Sequence, residues 1–353
     1  MHQILAINPG STSTKIGLFA DETCLLKETL RHSPSEIAPG LDREDQARFR
    51  RTALTGFLEE RALPPENLDA VVVRGGLLKP LASGTYLVDD RVCEDLVSAR
   101  YGWHASNLGA IIALPMTREY NIPLYTVDPV TVDEFHELAR YSGLKGINRL
   151  SMSHALNMKA VARRAAADMG RRYEDINLVV AHLGSGISVS AHRRGKMIDV
   201  NNANEEGPFS MERTGTLPAP ALARLCFEVG VSLESVLRLI TSEGGIYSYL
   251  GTKDFAAVEE MVAAGNEEAR LVVEAMAYQV AKEIAAMAAA LKGDLDRILI
   301  TGGMANSKLF TGLVRERVSF IAPMTLYPGE EELEALAAGA LRVLRGEAKA
   351  LIY

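Results

Sequence analysis

The stretch LVVAHLGSGISVS, residues 178–190, joins an apolar run to alternating apolar and small polar residues through a Gly-Ser-Gly turn. This pattern predicts two adjacent strands connected by a tight bend. Gly184 and Gly186 lack Cβ atoms, so backbone can approach a ligand closely there. The amides of the turn and the Ser185 hydroxyl are donors suited to phosphate oxygens. The turn therefore predicts an anion site, with a ligand-free hairpin as the alternative.

A second copy of this pattern, ILAINPGSTSTKIGLF, occupies residues 4–19. Aligning Gly10 with Gly184 also aligns Ser11 with Ser185 and Asn8 with His182. Each copy is followed by a third strand-like segment, at residues 23–30 and 197–200. The repeat predicts an α/β chain of two duplicated domains, each opening with a phosphate-binding hairpin, and a nucleotide in the cleft between them.

Length and composition restrict the function further. A chain of 353 residues exceeds the size at which one core usually stops growing, which favours two domains. The net charge of −7 argues against a nucleic-acid partner. We see no basic and apolar leader and no apolar run long enough to span a membrane. Three cysteines at scattered positions are typical of reduced thiols, so the sequence predicts a cytoplasmic protein.

Charged residues follow two predicted strands in the first half. Arg74 ends the strand at residues 70–73 and precedes two glycines, where it can reach a carboxylate or phosphate; a surface salt bridge is the alternative. Asp128 ends the strand at residues 125–127, where open α/β sheets place ligands and where a carboxylate can hold Mg²⁺. Its alternative is an Asp-Pro turn cap. The charge run at residues 42–51 is interpreted as the solvated face of a helix.

Three features of the second half are also candidates. His154 falls in the first turn of a helix that Ser151 or Ser153 would cap, and packing is its alternative role. Arg213 lies on the long polar loop 201–218, and its planar cation suits a transferring phosphoryl group. The pair Gly302 and Gly303 follows a strand and would let backbone approach an adenosine.

These motifs resemble a known superfamily. Asn8 to Lys15, His182 to Gly186 and Gly302-Gly303 resemble the two phosphate loops and the adenosine loop of the acetate and sugar kinase, heat-shock chaperone and actin superfamily. Within it, the chain resembles the butyrate kinases of the acetokinase family, on segments 73–78, 106–109, 154–157, 181–189, 206–210 and 319–323. The resemblance spans essentially the whole chain. It implies two actin-like, ribonuclease H-like domains with mixed sheets flanked by helices: residues 1–149 with 331–353, and residues 150–330.

The resemblance implies reversible transfer of the γ-phosphoryl group of ATP, with Mg²⁺, to a short aliphatic carboxylate, giving an acyl phosphate and ADP. Butyrate is the expected acid, and isobutyrate, propionate or acetate are the alternatives. A carboxylate is ionised at neutral pH, so this reaction needs positive charge and orientation and no general base. Related enzymes also imply a homodimer or a larger homo-oligomer.

The family's functional residues transfer to this sequence by position. The resemblance assigns catalysis to Arg213, His182, Asp128 and His154, nucleotide contacts to Asn8, Ser11, Ser13, Lys15, Gly184, Ser185, Gly186, Gly302 and Gly303, and the metal to Asn8, Asp128 and Glu331. The carboxylate clamp of acetate kinases cannot be transferred, because their Arg and His before the Gly-Gly pair are replaced by Val71 and Arg74. We therefore expect Arg74 to bind the acid, together with His104, which follows the only tryptophan.

Two other classes were considered. A sugar or polyol kinase needs an acid to deprotonate its hydroxyl acceptor, and Asp128 is the one convincing candidate. A non-enzymatic, actin-like ATP-dependent chaperone or regulator predicts an appended substrate domain or a basic module, for which we see no room in this chain.

Overall fold

The computed structural model describes residues 1–33, 42–228 and 230–353. In chain order the described part contains the strands and helices β1 Gln3–Pro9, β2 Ser13–Ala20, β3 Thr23–Arg31, α1 Arg43–Glu60, β4 Ala70–Arg74, β5 Thr85–Leu87, α2 Asp90–Ser98, α3 Leu108–Glu119, β6 Leu124–Val127, α4 Ala155–Asp168, β7 Asn177–Leu183, β8 Ile187–Arg193, β9 Lys196–Val200, α5 Ala219–Cys226, α6 Leu233–Thr241, α7 Gly245–Leu250, α8 Phe255–Ala263, α9 Glu267–Ala290, β10 Arg297–Gly302, α10 Lys308–Val318, β11 Met324–Pro328 and α11 Glu332–Leu344. Short 3₁₀ turns lie between some of them.

The chain divides into two compact units. The first unit comprises Met1–Val132 with Glu331–Tyr353, and the second comprises Asp133–Glu330. The chain thus leaves the first unit once and returns to it with α11.

The first unit is built on a six-stranded mixed sheet in the order β3-β2-β1-β4-β6-β5. β1, β2 and β3 form an antiparallel meander, and β4 and β6 run parallel to β1. The central strand β4 reads AVVVR and is buried from Ala70 to Val73, as expected for a parallel strand covered on both faces. The apolar faces of α1, α2 and α3 pack on this sheet.

The second unit repeats this design with five strands in the order β11-β10-β7-β8-β9. Here β7, β8 and β9 form the antiparallel meander, and β10 is parallel to both β7 and β11. The long helix α9 supplies much of the core, with Met276, Val280 and Ile284 fully buried. The predicted fold class, duplicated mixed sheets flanked by helices, is confirmed.

Parallel neighbours bring the ends of distant strands together. Ile7 pairs with Val73 and Arg74 pairs with Val127, so Asn8 near the end of β1, Arg74 at the end of β4 and Asp128 after β6 lie at one edge of the first sheet. In the second sheet Thr301 pairs with His182, which places Gly302 beside the end of β7. These edges carry the predicted site residues.

Some sequence interpretations were wrong in detail. Residues 133–149 belong to the second unit, because Glu134 pairs with Lys159 at 2.6 Å and Arg149 with Asp199 at 2.9 Å. The N-cap of α4 is His154, without a side-chain capping bond, rather than Ser151 or Ser153. No helix in the described ranges has an apolar stretch long enough to cross a bilayer.

Candidate functional site

The turn at residues 184–186, between β7 and β8, is called the second turn below. It is closed by the Gly184 amide, which donates to the Gly186 carbonyl at 3.1 Å, and it leaves Ser185 exposed. A Cβ at Gly186 would lie 2.7 Å from Cζ of Arg213. The Arg213 guanidinium thus packs directly on the backbone of the turn, and a side chain at position 186 would displace it.

Ser210 fixes Arg213 against the second turn. Its hydroxyl donates to the Ser185 carbonyl at 2.5 Å and accepts from the Arg213 amide at 3.3 Å, and the Ser210 amide donates to the Arg213 carbonyl at 3.0 Å. Burial lowers the pKa of Arg213, which still remains charged at neutral pH. Within the described residues Arg213 forms no ion pair, and its Nε makes no hydrogen bond. A largely buried cation without a carboxylate partner is suited to an anionic ligand.

His182 ends β7 and is only 1% exposed. Its Nδ1 lies 2.9 Å from Asn157 Oδ1, and because that oxygen can only accept, Nδ1 carries the proton. Its Nε2 lies 3.1 Å from Glu330 Oε1 but in a geometry that makes no hydrogen bond. This nitrogen is buried, and a Cβ at Gly184 would lie 3.3 Å from it.

His154 stacks on His182. The two ring centroids lie 3.9 Å apart with an angle of 8° between the planes, and His154 Nδ1 lies 3.0 Å from Ser188 Oγ. Ser188 pairs with His182 in the β7–β8 ladder, so the hairpin itself sets the stack. The structure thus brings both predicted histidines together, and it fixes both rings.

Gly302 and Gly303 lie at the end of β10. Gly302 has φ +88°, and a Cβ there would lie 2.8 Å from the carbonyl carbon of Leu183. Gly302 and Gly329 exchange two backbone hydrogen bonds, at 3.2 and 3.0 Å. Gly303 is exposed, and a Cβ there would meet open space. Gly302 is thus required for packing, and Gly303 provides an uncovered backbone surface.

At the edge of the first sheet, Asn8 and Arg74 share one carboxylate. Asn8 Nδ2 donates to Glu332 Oε2 at 2.5 Å, and Arg74 Nη1 lies 3.0 Å from Glu332 Oε1. Glu332 is buried in the first turn of α11, whereas Glu331 is its exposed N-cap residue. The carboxylate that joins this cluster is therefore Glu332, one residue after the predicted acid.

Asp128 is buried, with 1% exposure, and is held in a left-handed conformation with φ +39°. Its Oδ1 accepts from the Ser83 hydroxyl at 2.5 Å and from the Gly84 amide at 2.8 Å. A buried carboxylate at a strand end is a candidate metal ligand, and this role of Asp128 stays a prediction. Asn8, Asp128 and Glu332 offer oxygen donors that fit Mg²⁺, which binds through few carboxylates and phosphate oxygens. The described part of the chain contains no cluster of three His, Cys, Asp or Glu ligands that would hold a metal alone.

The turn at residues 10–12, between β1 and β2, is called the first turn below. The Gly10 amide donates to the Ser13 carbonyl at 2.8 Å. Ser11 and Lys15 are exposed and Ser13 is partly buried, so these side chains are accessible to a ligand. Arg50 is 1% exposed and bonds to the inner side of this turn, which contradicts its assignment to a solvated helix face.

His104 lies outside these clusters. It is exposed, and its Nδ1 accepts from the Ser106 amide at 3.2 Å at the start of a 3₁₀ turn. The structure shows a capping contact for this residue, and a contact with the acid stays a prediction.

Sequence reasoning missed Asn157, Glu332 and Arg50. Asn157 lies one helical turn after His154, and this i, i+3 spacing is a signal that could have paired them. Glu332 stands in a run of three glutamates, and no local pattern distinguishes its members. Arg50 is one of several arginines on α1.

Comparisons with known proteins show which family and which solved structures the chain is similar to. Residues 132–327 match the sequence profile described as the acetokinase family. The chain is 49% identical to butyrate kinase 1 of Clostridium acetobutylicum over 354 aligned positions, covering 100% of both chains. Its structure resembles the acetate kinase of Porphyromonas gingivalis, with a TM-score of 0.80, 20% identity and coverage of 98% of this chain and 100% of that one. It also resembles a propionate kinase of Francisella tularensis, with a TM-score of 0.76, 20% identity and coverage of 96% and 99%.

Proposed function

Because this chain belongs to the acetokinase family, we propose that it catalyses reversible transfer of the γ-phosphoryl group of MgATP to butyrate, giving butyryl phosphate and ADP. It is an enzyme of the carboxylate kinase class. That this chain uses butyrate, ATP and Mg²⁺ is our proposal.

One observation carries the proposal: Arg213 and His182 face the second turn with nitrogens that the described protein leaves without hydrogen bonds. Transfer between a carboxylate and ATP brings two anions together, so it requires positive charge more than a base. Arg213 supplies permanent charge, and His182, when doubly protonated, donates through Nε2 to a phosphoryl oxygen. His154 supports the His182 ring by stacking.

The nucleotide contacts follow from the turns. We propose that the amides and small side chains of the first turn and the second turn bind phosphate oxygens, with Lys15 adding charge. The exposed backbone at Gly303 is proposed to lie against the adenosine. When bound, Mg²⁺ would neutralise phosphate charge, and Asn8, Asp128 and Glu331 or Glu332 are the residues that would hold it.

Arg74 is proposed to bind the carboxylate of the acid. Its guanidinium already uses Nη1 on Glu332, and a guanidinium has five donors, so the others can serve a second carboxylate. Glu332 would then hold the Arg74 guanidinium so that its remaining N–H groups point toward the acid.

The direct test incubates the purified protein with MgATP, one acid and hydroxylamine. Hydroxamate formed from butyrate, with ADP in equal amount, is the expected result. A panel of acetate, propionate, butyrate, isobutyrate and isovalerate separates the alternative acids by kcat/KM, because each methylene in a pocket discriminates by about 1 to 3 kcal/mol. ADP formation with a sugar and no hydroxamate with any acid would contradict the proposal.

We also propose a homo-oligomer acting in the cytoplasm. Apolar side chains exposed on and next to α5 and α6 support self-association: Phe227 is 90% exposed, and Leu233 and Leu237 are exposed as well. Such a face is normally covered in a stable protein.

A further inference from the structure

Arg50 is a buried cation beneath the first turn. Its guanidinium donates to the Ser11 carbonyl at 2.8 Å, to the Ser13 carbonyl at 3.0 Å and to Thr14 Oγ1 at 3.0 Å. Within the described residues no carboxylate pairs with it. In the described chain, every acceptor of Arg50 therefore lies in the first turn or in the first two residues of β2.

Within the described residues, no carboxylate balances the charge of Arg50. Burial lowers its pKa, but the ordinary pKa of an arginine is so high that the side chain remains charged at neutral pH. Carbonyl dipoles reduce the cost of burying this charge without neutralising it. An anion bound on the outer side of the first turn would supply the missing negative charge.

The contacts of Arg50 also set which way the turn's amides point. In a trans peptide the N–H of Thr12 points opposite to the carbonyl of Ser11. Because Arg50 holds that carbonyl from the inner side, the Thr12 amide faces outward. No hydrogen bond in the described chain uses the amide of Ser11 or Thr12 as donor.

Thr14 and His32 complete the support. Thr14 Oγ1 accepts from Arg50 and lies 2.9 Å from His32 Nε2, and the His32 amide donates to the Thr12 carbonyl at 3.0 Å. The first turn is thus held from within at four consecutive residues, 11 to 14.

We propose that Arg50 is a positioning residue for nucleotide binding: it holds the Ser11–Thr12 peptide so that the Thr12 amide faces a phosphate, and its buried charge attracts that phosphate. This inference rests on the proposed function. Arg50 itself does not touch the nucleotide.

The test measures the Kd of MgADP by calorimetry for the wild type, Arg50→Met and Arg50→Lys. For Arg50→Met, which removes both the charge and the hydrogen-bond donors, we expect Kd to rise about tenfold or more. For Arg50→Lys, which keeps the charge but loses the planar set of guanidinium donors, we expect a smaller rise in Kd. The matched control is Arg51→Met, since Arg51 is the next residue of α1 and donates to the Ile111 carbonyl at 3.2 Å instead. That control should keep its Kd within about twofold even if its Tm falls.

A folded Arg50→Met or Arg50→Lys protein that binds MgADP as tightly as the wild type would overturn the inference. If circular dichroism shows that Arg50→Met does not fold, the Kd of MgADP for Arg50→Lys alone tests the inference. The hydroxamate assay on the wild type reports the proposed function separately. A wild type that binds MgADP but phosphorylates no carboxylate would reject that function, and the Kd series would still decide the role of Arg50.

Discussion

His182 and Asn8 occupy equivalent positions in the two hairpins, and the two residues have different partners. His182 is fixed by Asn157 and by the stacked ring of His154, and its buried Nε2 makes no hydrogen bond within the described residues. Asn8 is bonded to the Glu332 carboxylate. At this equivalent position the second unit therefore carries an imidazole, and the first unit carries an amide that is bonded to a carboxylate. This difference supports separate roles, toward the phosphoryl group and toward the metal.

The role of His182 is tested by His182→Ala. We expect kcat to fall about 10²- to 10³-fold with a smaller change in the KM of either substrate, because the lost donor acts on charge that develops during transfer. Steady-state rates of hydroxamate formation measure it. His136→Ala, which removes an exposed capping histidine of the same unit, should be active. An unchanged kcat in His182→Ala would refute the assignment.

At the scale of elements, α11 completes an edge formed by β1 and β4. Its first turn places the Glu332 carboxylate against Asn8 near the end of β1 and Arg74 at the end of β4. Glycine at position 339 allows the helix to lie close to β6, because a Cβ there would lie 2.6 Å from a methyl group of Val127. One helix thus fixes the side chains of two strands.

This arrangement predicts a selective effect of Arg74→Ala. We expect the KM for butyrate to rise about tenfold or more, with a smaller change in the KM for MgATP, because a bidentate partner of the acid is lost. Arg74→Ala also leaves the Glu332 carboxylate without its arginine partner. The variant Glu332→Gln measures how much of the rise in the KM for butyrate comes from that loss. Arg100→Ala, on an exposed arginine of the same unit, is the control. A wild-type KM for the acid would exclude Arg74 as its ligand.

The sequence predicted most elements of both sheets because their signals are local. The apolar run and the Gly-Ser-Gly turn at residues 178–190 became β7 and β8, and the copy at residues 4–19 became β1 and β2. Long-range partners have no such signal. The choice among Glu330, Glu331 and Glu332 depends on where α11 begins relative to β1, and the burial of Arg50 depends on how α1 packs.

For the molecule as a whole, buried ionisable groups predict how stability changes with pH. His192 is fully buried between Tyr173 and Ser190, at 2.6 and 2.7 Å, and burial holds its pKa well below the ordinary value of 6.5. Below pH 6.5 the unfolded chain takes up a proton at this residue and the folded protein does not. Stability therefore falls as the pH falls below 6.5.

We expect His192→Gln to reduce this acid sensitivity, by up to about 1.4 kcal/mol per pH unit. Urea denaturation of both proteins between pH 7.5 and 5.5 measures it. The raised pKa of Glu283 acts in the opposite direction, but it is present in both proteins and cancels in the difference. Equal slopes for the two proteins would show that His192 does not carry the effect.

The bond between Asn8 and Glu332 joins residues 324 positions apart. The ribosome therefore synthesises β1, β4 and all of the second unit's strands before it reaches the residue whose carboxylate binds Asn8 and Arg74. A nascent chain can form the first turn early, but the edge at which Asn8 and Arg74 share the Glu332 carboxylate is completed only when α11 has been made.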